Sequence, residues 1–138
     1  MTDYRRITLD VNDRTYAAWN AHDADAVAAV FAEDAIVREV GGAGESRGRG
    51  AVRERAAALF AAFPDLRLER LTLVIDGDRH ADRWVLSGTH RGPLFGIAPT
   101  GRHVRIEGAT FSRLDENGLV VEDTHFSDVA GLIAQLSG

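Results

Sequence analysis

The stretch "LRLERLTLVID" (Leu66–Asp76), followed two residues later by "RHADRWVLSGTH" (Arg79–His90), decides the fold class. Apolar and polar residues alternate in both, which is the period of a β-strand with one face toward a core. Gly77-Asp78, which lies between them, is a two-residue hairpin signal. The sequence therefore predicts two neighbouring antiparallel strands soon after Pro64.

Upstream of Pro64 the period is mostly helical. We predict helices over Ile7–Ala21, over "AVAAVFAED" (Ala26–Asp34) with Asp23 or Asp25 as N-cap, and over Ala51–Phe63, with a strand at Ala35–Val40. Downstream we predict strands over Arg102–Leu114 and "LVVEDTHFSD" (Leu119–Asp128), a loop over Arg91–Gly101, and a final helix opened by Asp128. Helices followed by a run of strands indicate an α+β fold with a curved antiparallel sheet.

Composition narrows the function classes. The 138 residues suit one domain, 1–138, and 45% hydrophobic with 27% charged residues is a globular composition. The chain has no cysteine and no lysine, which excludes disulfides, thiolate metal sites, a cysteine nucleophile and a lysine Schiff base. The Gly-rich stretch Gly41–Gly50 reads as a loop, but it lacks the Gly-Lys-Ser/Thr ending of a phosphate loop.

Charge and hydropathy bear on partners and location. A net charge of -5 argues against nucleic-acid binding. The N-terminal "MTDYRRITLDVNDR" has no apolar segment of signal-peptide length, and no apolar run approaches the ~18 residues of a membrane span. We therefore expect a cytoplasmic protein with neither a membrane nor a nucleic-acid partner.

Four stretches together resemble the SnoaL-like polyketide cyclases of the NTF2-like superfamily, over nearly the whole chain. They are "AAWNAHDADAVAAVFAEDAIV" (Ala17–Val37), "AAFPDLRLE" (Ala61–Glu69), "GTHRGPLFGIAPTGRHV" (Gly88–Val104) and "ENGLVVEDTHFSDVAGLIAQL" (Glu116–Leu136). The resemblance implies a cone, in which helices wrap a bent antiparallel sheet around an internal pocket. It also implies a homodimer formed through the outer face of the sheet. The superfamily includes aldol cyclases, isomerases, dehydratases, epoxide hydrolases and non-catalytic proteins, so function depends on the pocket.

Asp123 is the first candidate site residue. Strand alternation places on one face Leu119, Val121, Asp123 and His125, and on the other Val120, Glu122, Thr124 and Phe126. Both sets contain apolar residues, so the pattern alone leaves the inner face open. The resemblance implies that Asp123 is the general acid/base residue and faces inward, which would leave Val120, Thr124 and Phe126 on the outer, dimer-forming face. An exposed Asp123 paired with arginine is the competing interpretation.

His90 is the second candidate. It shares strand parity with Trp84 and Leu86, whose size indicates the inner face, and an imidazole there would donate to a developing oxyanion. The alternative is a core histidine with a structural role. Further candidates for the substrate-binding walls are Trp19, Tyr16, Trp84, Leu86, Phe111 and His125. A metal triad of Asp123, His125 and His90 is a weaker alternative, because no compact metal motif is present.

The resulting hypothesis is a polyketide cyclase-like enzyme of antibiotic or other secondary metabolism. It would act by acid–base, aldol-type chemistry on an aromatic polyketide or similar ketone, with no cofactor and a hydrophobic small molecule as substrate. A carboxyl group in an apolar cavity suits this chemistry, because burial raises its pKa toward working pH. Two alternatives remain open: a hydroxylation component or hydrolase on the same fold, and a non-catalytic module that binds a small ligand.

Overall fold

The computed structural model describes residues 1–42 and 44–138. The helices are α1 (Tyr4–Asn20), α2 (Ala24–Ala29), α3 (Gly48–Ala62) and α4 (Val129–Ser137). The strands are β1 (Phe31–Val40), β2 (Gly44–Arg47), β3 (Arg67–Asp76), β4 (Arg79–Thr89), β5 (His103–Leu114) and β6 (Val120–Ser127). The predicted α+β class and the order of helices before the strand run are confirmed.

The strands form one six-stranded sheet in the order β2-β1-β6-β5-β4-β3. Every neighbouring pair is antiparallel except β1 and β6, which run parallel. A parallel pair requires a crossover connection, and here the long segment from β2 through β5 supplies it. The N-terminal helices cover one face of the sheet, with α1 against β3 and α3 against β1.

Two boundaries in the first half differ from the sequence prediction. The second helix ends at Ala29, and residues Phe31–Asp34 belong to β1. Phe31 pairs with Val120 of β6, so strand pairing outweighs the helix propensity of the alanine-rich segment. Within the predicted loop over Gly41–Gly50, residue 43 lies outside the described residues, while Gly44–Arg47 forms the edge strand β2 and α3 begins at Gly48.

Aspartate side chains begin three of the helices. Asp3 accepts from the Arg6 backbone N–H, Asp23 from that of Ala26, and Asp128 from that of Gly131 at 2.9 Å. Each bond satisfies a backbone donor that the first helical turn leaves without a partner. The predicted N-cap roles of Asp23 and Asp128 are thus present in the structure.

A β-bulge in β6 changes which face its first residues occupy. Leu114 pairs with Val120 and Arg113 pairs with Glu122, so Val121 is an extra residue without an opposite partner. An extra residue reverses the alternation on one side of itself. Val120, predicted on the outer face, is therefore only 4% exposed and points to the interior. Asp123, on the other side of the bulge, faces inward as well.

The core lies between the inner face of the sheet and the helices. Its fully buried side chains include Phe63, Leu66, Val104 and Leu114. Among residues 1–42 and 44–138, no helix is long and apolar enough to cross a membrane.

Candidate functional site

A cavity opens between the helices and the inner face of the sheet. Counted out to its open mouth, with the solvent space included, it measures about 890 Å³. The apolar part of its wall includes Val11, Trp19, Val52, Leu59, Leu68 and Trp84. Gly108 pairs with Trp84 across the sheet, and its missing side chain leaves the space that the indole ring fills. The cavity is thus suited to a largely hydrophobic ligand.

Polar side chains cover the base of this cavity in two rows across β4, β5 and β6. The strand register aligns one row as His80, Ser112 and Asp123, and the next row as Asp82, Thr110 and His125. All six line the cavity, and we refer to them as the polar floor. Residues two apart in a strand share a face, which is why the two rows lie side by side.

Asp123 occupies the β6 end of the first row. Its side chain is buried, with the residue 6% exposed, and the Ser112 hydroxyl donates a hydrogen bond to its Oδ1 atom. His125 Nε2 lies 3.3 Å from its other oxygen, Oδ2. The two neighbours orient the carboxyl group toward the cavity, where the predicted acid–base role requires it to be.

A chain of hydrogen bonds sets the proton arrangement of His125. The Trp84 indole N–H donates to Thr110 Oγ1 at 2.9 Å, and Thr110 Oγ1 lies 2.8 Å from His125 Nδ1. Because the indole only donates, the Thr110 hydroxyl proton is free to point at Nδ1, which then accepts. This arrangement favours a proton on Nε2, where it faces the Asp123 carboxyl group.

A second acidic group, Asp82, faces the same cavity. The Tyr16 hydroxyl donates a hydrogen bond to Asp82 Oδ2, and the Asn12 side chain lies beside this carboxyl group. Asn12 Oδ1 accepts from Arg70 at 2.8 Å, which leaves the amide N–H of Asn12 for Asp82. Burial, and secondarily the charge of Asp123, raise the pKa of Asp82, although the bonds from Tyr16 and Asn12 oppose the rise.

Tyr16 and His80 are the two titratable neighbours of Asp82. Burial raises the pKa of the Tyr16 hydroxyl, and the nearby Asp82 carboxyl group raises it further. Burial lowers the pKa of His80, while Asp82 and Asp123 act in the opposite direction. Both shifts favour neutral side chains, so Tyr16 remains a hydrogen-bond donor and His80 is not a full counter-charge for the carboxyl groups.

The predicted wall residues Tyr16, Trp19, Trp84 and Leu86 all line the cavity. Trp19 contacts Phe60 edge to face, with ring centroids 5.4 Å apart, and the Arg55 guanidinium lies 5.8 Å from its centroid. These contacts hold the Trp19 ring in one orientation on the wall. Their binding of a substrate stays a prediction.

His90 does not line the cavity, contrary to the sequence prediction. It is fully buried beyond the end of β4, with its ring centroid 5.9 Å from that of Phe63. Its Nδ1 accepts from the Thr100 backbone N–H at 3.2 Å, which anchors the loop after the strand. The parity argument identified the inner face correctly, but Phe63 fills the interior at this end of the strand. His90 is therefore the core histidine of the alternative interpretation.

Phe111 also lies away from the cavity. It is on the outer face of β5, 55% exposed, in edge contact with Phe126 at a centroid distance of 5.9 Å. The neighbours Val104, Ile106 and Thr110 occupy the inner face of that strand, so alternation turns Phe111 outward. Its predicted substrate-binding role does not fit this position.

The metal triad considered for Asp123, His125 and His90 is not assembled, because His90 lies outside the cavity that contains the polar floor. Within the described part of the chain, no group of three or more His, Asp or Glu side chains is arranged to hold a metal ion. Asp82 was missed by the sequence analysis. Its signal was present, since Asp82 shares parity with Trp84 and Leu86 in "RHADRWVL".

Comparisons with known proteins place the fold and the family. No curated protein sequence matches the chain. A structure of a proposed SnoaL-like polyketide cyclase from Jannaschia sp. CCS1 has a TM-score of 0.86 at 20% identity, covering 96% of this chain and 93% of its own. It supports the NTF2-like fold alone.

Two further structures are more similar in sequence. IdmH from Streptomyces antibioticus, a proposed polyketide cyclase, is 28% identical, with a TM-score of 0.75 and coverage of 94% and 97%. AclR from Streptomyces galilaeus, a proposed hydroxylase, is 25% identical, with a TM-score of 0.81 and coverage of 98% and 81%. The family model for SnoaL-like polyketide cyclases matches residues 9–136. The chain therefore belongs to the SnoaL-like polyketide cyclase family.

Proposed function

We propose that this protein is an enzyme that closes a ring by aldol-type acid–base chemistry on an aromatic polyketide or similar ketone. The observation that carries the proposal is the Asp123 carboxyl group, buried in an apolar-walled cavity and oriented by Ser112 and His125. Membership of the family and the similarity to IdmH support the same class of reaction. Secondary metabolism is the setting in which such substrates arise.

The proposed reaction needs proton transfers only. The Asp123 carboxylate removes a proton from a carbon next to a carbonyl group, and the resulting enolate attacks a second carbonyl carbon of the same molecule. A carbon–carbon bond forms, and the attacked carbonyl oxygen becomes an alkoxide that takes up a proton. His125, with its proton on Nε2, keeps the Asp123 carboxyl group in position through the whole cycle. General acid–base assistance of this kind is worth about 10²–10⁴-fold in rate.

The cavity wall supports a hydrophobic, flat substrate. Trp19, Trp84 and Leu86 offer broad apolar surfaces above the polar floor. Burying apolar surface gives roughly 25 cal/mol per Å², so such walls supply binding energy while the polar floor carries the chemistry. Confinement of a flexible chain in this cavity also brings the two reacting carbons together.

The decisive test is turnover of a cyclisable polyketide ester by wild type and by Asp123→Asn. The substitution preserves shape and removes the base, so we expect a loss of about 10²–10⁴-fold in kcat with a nearly unchanged melting temperature. Glu122→Gln is the matched control. The Glu122 carboxyl group is next to Asp123 in the chain, but it pairs with Arg113 at 3.3 Å and does not line the cavity. Full activity in Asp123→Asn, or loss of activity after dialysis against a chelator, would show that the mechanism is wrong.

Two other functions remain to be separated by the same assay. Similarity to AclR supports a hydroxylation component, which would give an oxygenated product instead of a ring. A hydrolase on this fold would give a hydrolysed product. A non-catalytic binding module would bind polyketide-like ligands without turning them over. Chromatography coupled to mass spectrometry separates these outcomes. Aldol closure gives a new peak of unchanged mass until water is lost, oxygenation or hydrolysis changes the mass, and a binding module leaves the substrate peak alone.

We also propose that two copies associate through the outer face of the sheet. Phe111 and Phe126 are 55% and 45% exposed there, and they form one apolar patch. Val120, expected on this face from the sequence, does not contribute because the bulge turns it inward. Sedimentation should give the mass of two chains for wild type and of one chain for Phe111→Asp. A wild-type monomer at micromolar concentration would contradict this.

A further inference from the structure

We infer that Asp82, together with Tyr16, is a second proton-transferring group of the same cavity: it binds the carbonyl oxygen under attack and protonates it. The inference rests on the proposed function, in which Asp123 removes the proton from carbon. It assigns to Asp82 the protonation of the attacked oxygen, at the place where the sequence had predicted hydrogen-bond donation from His90. It also assigns an orientation to the substrate, with its acidic C–H at β6 and its electrophilic carbonyl at β4.

The separation of the two carboxyl groups suits one substrate. Asp82 and Asp123 lie on the same face of the sheet, in adjacent rows of the polar floor, with β5 between their strands. Two strand spacings amount to roughly 10 Å between the backbones, and both side chains point into the cavity. A ligand that spans this width meets both carboxyl groups, with the Thr110 and Ser112 hydroxyls between them.

The surroundings of Asp82 favour a carboxyl group that keeps its proton. It is 7% exposed, and among the described residues no Arg or His forms an ion pair with it. The nearest guanidinium, that of Arg70, bonds Asn12 and, at 2.9 Å, Asp13. A second carboxyl group, Asp123, faces the same cavity. Two buried carboxyl groups without a paired cation hold one charge more readily than two.

The partners of the two carboxyl groups differ. Asp123 accepts from Ser112 and lies 3.3 Å from His125, an imidazole that can carry a positive charge. Asp82 accepts from the Tyr16 hydroxyl, which cannot become a cation, and although that bond lowers the pKa of Asp82, burial raises it more. We therefore assign the acid role to Asp82 and the base role to Asp123. Environments that differ in this way are how enzymes assign acid and base roles to two like residues.

The proton and electron count closes without a further reactant. Asp123 takes a proton from carbon, and the C–H electron pair forms the new carbon–carbon bond by way of the enolate. The π electrons of the attacked carbonyl move to its oxygen, which takes the proton of Asp82. After ring closure Asp123 is protonated and Asp82 is charged. Loss of one proton to solvent from Asp123 and uptake of one by Asp82 restore the starting state.

Infrared spectroscopy tests the protonation state without any substrate. We expect a C=O band of a protonated carboxyl group in wild type near neutral pH, absent in Asp82→Asn and retained in Asp76→Asn. Asp76 is the control because it is an exposed carboxyl group on the neighbouring strand β3. Absence of the band in wild type, or its persistence in Asp82→Asn, would overturn the inference.

Kinetics test the role in the reaction. We expect Asp82→Asn to lower kcat about 10²-fold or more and to remove the fall in activity at alkaline pH, while Tyr16→Phe lowers kcat less. If Asp123→Asn abolishes turnover while Asp82→Asn retains it, the inference fails and the proposed function stands. If neither substitution affects turnover, the proposed function fails, and the infrared result alone then decides the state of Asp82.

Discussion

The two ends of β4 differ although they present the same face of the same strand. At its beginning His80 and Asp82 line an open cavity, while beyond its end His90 is enclosed in solid packing against Phe63. All three follow one alternation, and all three are buried polar residues. What separates them is the layer opposite the strand: helix α1 leaves space above the first end, and the end of α3 closes the other.

The comparison shows which property marks a candidate site. Both ends of β4 share burial and strand parity, so neither of these two properties identifies a candidate catalytic residue. Hydrogen bonding does differ, because His90 is bonded to the loop residue Thr100, whereas Asp82 is bonded to Tyr16 beside the open cavity. A buried polar residue is a stronger candidate when its partners are other cavity-lining groups.

The closed end should carry more of the stability. Phe63 is fully buried, and Phe63→Ala leaves a cavity that costs about 3–5 kcal/mol of unfolding free energy. Urea denaturation measures it, with Phe95→Ala as control, because Phe95 is an exposed residue of the following loop. A loss in Phe63→Ala no larger than that of the control would mean that this end is not solidly packed.

His90→Ala should separate stability from chemistry. The substitution removes the acceptor of the Thr100 N–H and a fully buried ring, so we expect about 1–3 kcal/mol less stability. The kcat of the folded fraction should equal that of wild type, because His90 does not contact the cavity. A drop in kcat at unchanged stability would restore the oxyanion role that the sequence suggested.

The sequence predicted the elements better than it predicted the cavity. Alternation in Leu66–Asp76 and Arg79–His90 identified β3 and β4 and the inner face of β4. It gave no information on whether helix or empty space faces each position, since that depends on long-range packing. A strict two-residue period also does not reveal the bulge at Val121, so Val120 was predicted on the wrong face of the sheet. The position of Asp123 followed from the family resemblance. Strand parity put Asp82 on the inner face with Trp84 and Leu86, but that it lines a cavity and not solid packing is visible only in the structure.

Asp82→Asn should change how stability depends on pH. Because burial raises the pKa of Asp82 in the folded state, the folded protein binds this proton more tightly than the unfolded chain. Wild-type stability therefore falls as pH rises from about 3.8, the ordinary value for aspartate, through the raised pKa. Urea titrations at several pH values should show a flatter curve for Asp82→Asn and greater relative stability above this window. Parallel curves would mean that the pKa of Asp82 is the same in the folded protein as in the unfolded chain.

The smallest expected effect is at His80, the other polar residue at the open end of β4. Burial lowers its pKa, and its Nδ1 atom has no hydrogen-bond partner among the described residues. The unfolded chain then binds a proton at His80 more tightly than the folded protein does. Stability contributed by the neutral imidazole is present above pH 6.5, the ordinary histidine value, and is lost as pH falls toward the lowered pKa.

His80→Gln removes this titration, and we expect its stability to fall less than that of wild type between pH 6.5 and lower values. His103→Gln serves as the control, because His103 is an exposed residue on β5. The effect should be smaller than that of Asp82→Asn, since the two carboxyl groups facing His80 partly offset its burial. If His80→Gln flattens the curve no more than His103→Gln does, burial does not lower the pKa of His80. Water would then solvate the polar residues at the open end of β4.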